Sequence, residues 1–110
     1  MKNIIEKTWE DRTLLNSEES ISAIENVISQ LDKGLLRVAE PTATGWQVND
    51  WVKKAVILYF PTRKMETMEA GPMEFHDKMA LKRNYSELGV RVVPHAIARY
   101  GAYLAKGVIM

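Results

Sequence analysis

The end of the chain repeats with a period of six residues, and this spacing restricts the possible folds more than any other feature. Gly101 and Gly107 are six residues apart. The same interval separates the members of three further series, which are Ala96, Ala102 and Val108; Ile97, Tyr103 and Ile109; and Ala98, Leu104 and Met110. Such spacing is typical of a parallel β-helix, with small residues at the corners and aliphatic residues stacked inward. Two hexapeptides are few, so a terminal pair of strands rich in Ala and Gly remains an alternative.

A complete coil of a β-helix needs three hexapeptides, which is about 18 residues. The repeating pattern begins at Pro94 and stops short of that length. The chain also ends on apolar Val108, Ile109 and Met110, whereas chain ends are usually solvated. We therefore expect residues 90–110 to be a first, incomplete coil that a further segment would continue.

Two amphipathic helices are predicted in the first third of the chain. Ile5 and Trp9 share a face of a short helix over residues 2–12. Asn16 is the predicted cap of a second helix, which Lys33 and Gly34 end. The apolar face of this second helix consists of Ile21, Ile24, Ile28 and Leu31.

A hairpin and a third helix are predicted next. Alternation over residues 36–40 and again over 46–48, with a turn over residues 41–45 between them, predicts two strands with Trp46 and Val48 directed to the core. Asn49 or Asp50 would cap a helix over residues 51–60, which Pro61 stops. Residues 62–84 lack periodicity, so we expect irregular structure there. A helical turn over residues 85–88, ended by Gly89, and a strand over residues 90–93 complete an α+β fold.

Composition excludes several classes of function. The 110 residues carry a net charge of +1, which gives no basic field for binding nucleic acid. There is no cysteine, so disulfides, thiolate catalysis and cysteine-based zinc sites are excluded. The longest apolar run covers residues 55–60, far short of the roughly 20 residues that a membrane helix needs. No signal peptide precedes Glu6, and we expect a cytoplasmic protein without a membrane partner.

Five ordered blocks of the sequence resemble the tetrahydrodipicolinate N-succinyltransferase family of bacteria. They are LDKGLLRVAE (31–40), WQVNDWVKKAVIL (46–58), FHDK (75–78), GVRVVP (89–94) and RYGAYLAK (99–106). The resemblance implies a helical N-terminal domain with a hairpin over residues 1–89. It also implies that residues 90–110 begin a left-handed parallel β-helix built from hexapeptides, the rest of which lies beyond Met110.

The same resemblance implies an enzyme of lysine and diaminopimelate biosynthesis. Members of the family transfer a succinyl group from succinyl-CoA, a cosubstrate, to the amino group of a dicarboxylic substrate, and they are homotrimers. The transfer needs a base for the amine, hydrogen-bond donors for the thioester oxygen, and a firm hold on the dicarboxylate. The family's acidic base and its coenzyme A groove lie beyond the position of Met110. We therefore expect no catalytic, cofactor-binding or metal-binding residue in this chain, and no activity of the chain alone.

Arg91 is the one residue that the resemblance assigns to a site, because it matches an arginine that binds substrate in the family. A guanidinium can hold a carboxylate through two parallel hydrogen bonds, which lysine cannot do. The alternative is a surface arginine on an edge strand, paired with a glutamate.

Other polar and aromatic residues have a structural interpretation. His76 and His95 lack the spacing of metal ligands, and His95 stands where many members of the family have glycine. We expect an ion pair between Asp77 and Lys78. We also expect solvated surfaces at residues 53–54 and 82–83, and packing roles for the three tryptophans, which are Trp9, Trp46 and Trp51.

Two hypotheses about function follow. In the first, the chain is the N-terminal part of a succinyltransferase, and Arg91 contributes to substrate binding. In the second, it is a non-catalytic module for assembly or protein interaction, and the period of six reflects a simple terminal hairpin.

Overall fold

The computed structural model describes all residues from 1 to 110. Four helices and two small hairpins precede a C-terminal segment, which we define as residues 90–110. The helices are α1 (Lys2–Glu10), α2 (Glu18–Asp32), α3 (Asp50–Tyr59) and the short α4 (Tyr85–Leu88). The strands are β1 (Ala39–Thr42) and β2 (Gly45–Val48), then β3 (Glu66–Ala70) and β4 (Met73–Asp77). Two 3-10 turns, Arg12–Asn16 and Phe60–Thr62, lie after α1 and α3.

Helix α2 forms where the sequence predicts it, but its cap is one residue later. Ser17, not Asn16, is the N-cap, and its hydroxyl accepts a hydrogen bond from the backbone N–H of Ser20. Asn16 instead ends the 3-10 turn that leads into the helix. Both residue types cap well, so local sequence could not separate them. The helix ends at Asp32 with Lys33 as its C-cap, and Gly34 follows with a left-handed φ of 73°.

The core lies where α1, α2 and α3 meet. Its largest fully buried side chains are Ile5, Ile24, Val27, Val52 and Leu58. Burial of such a side chain stabilises the fold by about 1.5–3 kcal/mol. The polar groups inside are paired, because the hydroxyls of Thr8 and Ser20 lie 2.8 Å apart and join α1 to α2. None of the helices has the length and apolar character needed to cross a bilayer.

The first hairpin is present, but the prediction that Trp46 and Val48 face the core is wrong. Their side chains are 74% and 66% exposed. The register pairs Ala39 with Val48 and Pro41 with Trp46, so one face of the hairpin is apolar throughout and lies in solvent. Alternation determines which residues share a face, but not whether that face meets the core.

The expectation of irregular structure over residues 62–84 is wrong for its central part. Strands β3 and β4 form an antiparallel hairpin in which Met68 pairs with Phe75. Gly71 allows the tight turn with a φ of 62°. The side chains of Met68, Ala70 and Phe75 share one half-buried face. Glu66 and Asp77 lie on this same face, so charge interrupts the apolar pattern in strands that have only five residues each.

The C-terminal segment folds back on the chain through single backbone pairings rather than through a regular strand. A helical turn does end at Gly89, as expected. The predicted strand over residues 90–93 is reduced to one parallel bridge, between Arg91 and Ile109. A second, antiparallel bridge joins Leu81 to Arg99.

Left-handed backbone recurs every six residues along this part of the chain. Gly89, His95, Gly101 and Gly107 have φ angles of 70°, 80°, 105° and 91°. His95 therefore occupies a conformation that glycine adopts at the other three positions. The series Ala98, Leu104 and Met110 is half-buried, whereas Ile97, Tyr103 and Ile109 are exposed, although the ring of Tyr103 lies against Gly34.

Candidate functional site

The side chain of Arg91 lies free at the surface of the C-terminal segment. Val90 before it is buried and Arg91 is exposed, which directs the guanidinium outward. Its backbone N–H donates to the carbonyl of Val108 (3.0 Å), and its own carbonyl accepts from the N–H of Met110 (2.9 Å). The guanidinium makes no ion pair within the chain. The backbone is thus held on both sides while the donors remain available to a carboxylate.

No cavity of the chain is lined by Arg91. The largest cavity, of about 600 Å³, lies along the polar face of α2 and ends at Tyr59 and Tyr100. An apolar cavity of about 210 Å³ shares those two tyrosines and lies between α2, α3 and Gly101. The structure therefore shows one unpaired guanidinium at the position of Arg91, but no enclosed site around it.

Asp77 pairs with a different partner from the one that the sequence predicts. Its Oδ2 lies 3.0 Å from Nη2 of Arg99, so the expected pair with Lys78 is wrong. The backbone N–H of Lys78 instead donates to Asp77, and this bond, together with Arg99, holds the pKa of the carboxyl below its usual value. Arg99 contrasts with Arg91, because its guanidinium already has a carboxylate partner.

Lys82 is buried, so the expectation of a solvated basic pair at residues 82–83 holds only for Arg83, which is exposed. The side chain of Lys82 is 3% exposed, and its Nζ lies 2.7 Å from Oδ1 of Asp32. The same oxygen accepts the backbone N–H of Gly101 at 2.9 Å. Sequence reasoning missed Asp32. The available signal was an acidic residue at the end of α2, where the helix dipole favours cations.

Lys54 is also less free than the sequence indicates. Its Nζ lies 3.0 Å from Oε2 of Glu6, which joins α3 to α1, and the hydrogen bond to Glu6 raises the pKa of Lys54. Lys53 is exposed, as expected.

The histidines and tryptophans do not form a shared site. Nδ1 of His76 lies 3.2 Å from the hydroxyl of Thr67, and no group of three His, Asp or Glu residues is arranged to hold a metal ion. Trp9 and Trp51 pack against the core cluster, whereas Trp46 lies in solvent.

Comparison with known proteins finds one family, both through a family profile and through individual relatives. The profile of the family described as "Tetrahydrodipicolinate N-succinyltransferase N-terminal" matches residues 1–62. Proteins named 2,3,4,5-tetrahydropyridine-2,6-dicarboxylate N-succinyltransferase are similar to the whole chain, with 43% identity in Variovorax paradoxus and 44% in both Albidiferax ferrireducens and Paracidovorax citrulli. The chain spans 44% of the length of each of these relatives.

Proposed function

Because the chain belongs to the tetrahydrodipicolinate N-succinyltransferase family through its N-terminal domain, we propose that it is the N-terminal portion of such an enzyme. The reaction would transfer a succinyl group from succinyl-CoA to the amino group of the ring-opened dicarboxylic substrate, in lysine and diaminopimelate biosynthesis. The similarity to the named relatives over all 110 residues carries this proposal. Nothing in the structure favours the hypothesis of a non-catalytic interaction module over it.

Arg91 would hold one carboxylate of the substrate. Its unpaired guanidinium and its fixed backbone support this role, because the backbone is already ordered and the planar fork holds its donors in the geometry that a carboxylate needs. Binding of this kind orients the substrate amine toward the thioester and saves the entropy of alignment. Arg91 does not supply the base or the donors for the thioester oxygen.

The C-terminal segment would be the first coil of a left-handed parallel β-helix. Three observations support this: the parallel bridge between Arg91 and Ile109, the hydrogen bond from the N–H of Gly107 to the carbonyl of Gly89, and left-handed backbone every six residues. Both backbone contacts join residues that are three hexapeptides apart. Residues 1–89 would then form the N-terminal domain beside this coil.

The chain alone would be inactive, because it corresponds to 44% of its relatives and leaves Arg91 without an enclosing cavity. The complete enzyme would be a cytoplasmic homotrimer that supplies the base and the coenzyme A groove from later coils.

A chimera tests this function. The matching N-terminal part of the Variovorax paradoxus relative is replaced by this chain, and release of coenzyme A is followed with both substrates present. We expect succinyl transfer by the chimera, and none by this chain alone or by the relative deprived of its N-terminal part. A chimera that folds, as judged by a cooperative thermal transition, and yet transfers no succinyl group would contradict the proposal. Activity of the isolated chain would contradict the inactivity that we expect of it.

A further inference from the structure

One carboxylate at the end of α2 joins three separate parts of the chain. Oδ1 of Asp32 accepts from Nζ of Lys82 at 2.7 Å and from the backbone N–H of Gly101 at 2.9 Å. Nζ of Lys82 donates in addition to the backbone carbonyl of Asp32, at 3.2 Å. The ammonium of Lys82 thus neutralises both the carboxylate and the carbonyl end of the helix.

Lys82 and Gly101 are the two ends of one segment, and Arg91 lies near its middle. Backbone hydrogen bonds also join the two ends of this segment. The N–H of Lys82 donates to the carbonyl of Ala98 (2.9 Å), and the N–H of Tyr100 donates to the carbonyl of Ala80 (2.8 Å). The helical core therefore holds, through Asp32, both ends of the segment that carries Arg91.

Lys82 and Gly101 are both held closely against α2. A lysine side chain that is 3% exposed must keep its ionic partner, since an unpaired charge in that place is strongly unfavourable. Gly101 is also seated closely on α2, because a Cβ built there would lie 3.3 Å from Cγ2 of Ile28.

We propose that Asp32 is a positioning residue, which anchors residues 82–101 to the helical core and thereby fixes the place of Arg91. The anchoring stands on the contacts of this chain, whereas its consequence for substrate binding rests on the function proposed above. Asp32 itself touches no substrate.

Amide hydrogen exchange of this chain tests the anchoring. In the double variant Asp32→Ala/Lys82→Met, which leaves no unpaired buried ammonium, we expect the amides of Gly101, Arg91 and Met110 to exchange at least tenfold faster relative to that of Leu58 in α3. The matched control is Glu6→Ala/Lys54→Met, which removes the ion pair that joins α1 to α3. In this control, the ratio of the exchange rates of the three amides to that of Leu58 should change by less than twofold.

Asp32→Asn/Lys82→Met keeps an acceptor oxygen for the N–H of Gly101 and leaves no unpaired charge, so it is the second variant to measure if Asp32→Ala/Lys82→Met does not fold. For it we expect at least a threefold increase of the same ratio. Equal acceleration of all amides, or no change, would overturn the anchoring.

The chimera tests the consequence for Arg91. Asp32→Asn alone should raise the KM for the dicarboxylate at least threefold. In the Arg91→Lys background, Asp32→Asn should raise KM by a further factor of less than two. If Asp32→Asn raises KM by the same factor with and without Arg91→Lys, Asp32 does not act through Arg91. This would overturn the positioning role even where amide hydrogen exchange shows that the anchor itself exists. A failure of the proposed function would abolish both KM effects and leave the exchange result unchanged.

Discussion

Ile109 lies directly beside Arg91 in a parallel bridge, although the two residues are three hexapeptides apart along the chain. The N–H of Met110 reaches the carbonyl of Arg91, and the N–H of Val93 reaches the carbonyl of Met110. The backbone of the candidate substrate-binding residue is therefore held by the last residues of the chain.

Replacement of His95 by glycine should stabilise the chain. His95 has a φ of 80°, and a residue with a side chain pays about 1–2 kcal/mol in this conformation. The greater freedom of glycine in the unfolded chain offsets part of the gain. We expect the free energy of unfolding in urea to rise by about 0.5–1 kcal/mol.

Ala96→Gly is the matched control, because its backbone is not left-handed. It should lower the free energy of unfolding by about 0.5–1 kcal/mol. Equal effects of the two glycine substitutions would contradict a strained backbone at His95.

Gly34→Ala should destabilise the chain more than Gly107→Ala. Both glycines have positive φ angles, but a Cβ at Gly34 would lie 2.7 Å from the ring of Tyr103, whereas nothing lies within 4 Å of one at Gly107. We expect a loss of about 1 kcal/mol at Gly107 and of about 2–4 kcal/mol at Gly34, measured by urea unfolding.

Tyr103→Ala isolates the steric part of this difference. In the Tyr103→Ala background, the cost of Gly34→Ala should fall to that of Gly107→Ala. A cost at Gly34 that is independent of Tyr103 would show that the ring does not rest on this glycine.

Trp46→Ser should change stability little, despite the size of the side chain. Trp46 is 74% exposed, so its removal leaves no cavity, and we expect a change within about 0.5 kcal/mol. Ile24→Ala in the core should cost about 2–5 kcal/mol by comparison. A loss at Trp46 as large as that at Ile24 would mean that the hairpin face is covered in solution.

Acid should weaken the contact between β4 and the C-terminal segment. The hydrogen bond from Lys78 and the charge of Arg99 lower the pKa of Asp77 from 3.8. The contribution of Asp77 to the stability of the fold is therefore complete well above pH 3.8, and it is lost as the pH falls through 3.8 and the lower pKa of the folded state.

Thermal unfolding followed from pH 6 to pH 2 measures this effect. The difference in Tm between the native chain and Asp77→Asn should be constant above about pH 5 and should shrink toward pH 2. A difference in Tm that stays constant from pH 6 to pH 2 would show that the charge of Asp77 does not stabilise the fold.

Local pattern predicts the helices well and the hairpins poorly. The face of α2 could be predicted because Ile24 and Ile28 repeat with the helical period over fifteen residues. Strands β3 and β4 have five residues each, so alternation has little length in which to show. The exposure of Trp46 could not be predicted, since it depends on where the hairpin lies relative to the helices.

Single positions of the site could be predicted only in part. The period of six at Gly101 and Gly107 indicates the repeated backbone turn, but the same turn at His95 is hidden because its residue is not glycine. The pair of Asp32 and Lys82 joins residues that are fifty positions apart, and no local pattern connects them. Arg91 was identified through family resemblance, and its unpaired guanidinium is what the structure adds.

The KM for the dicarboxylate substrate, measured in the chimera with Arg91→Lys, is the most direct test of the proposed role of this chain. Lysine keeps the charge but cannot form two parallel hydrogen bonds, so we expect KM to rise at least tenfold. Arg83→Lys, another exposed arginine without an ion pair, should leave KM within twofold. An unchanged KM for Arg91→Lys would contradict the account and remove Arg91 from the site.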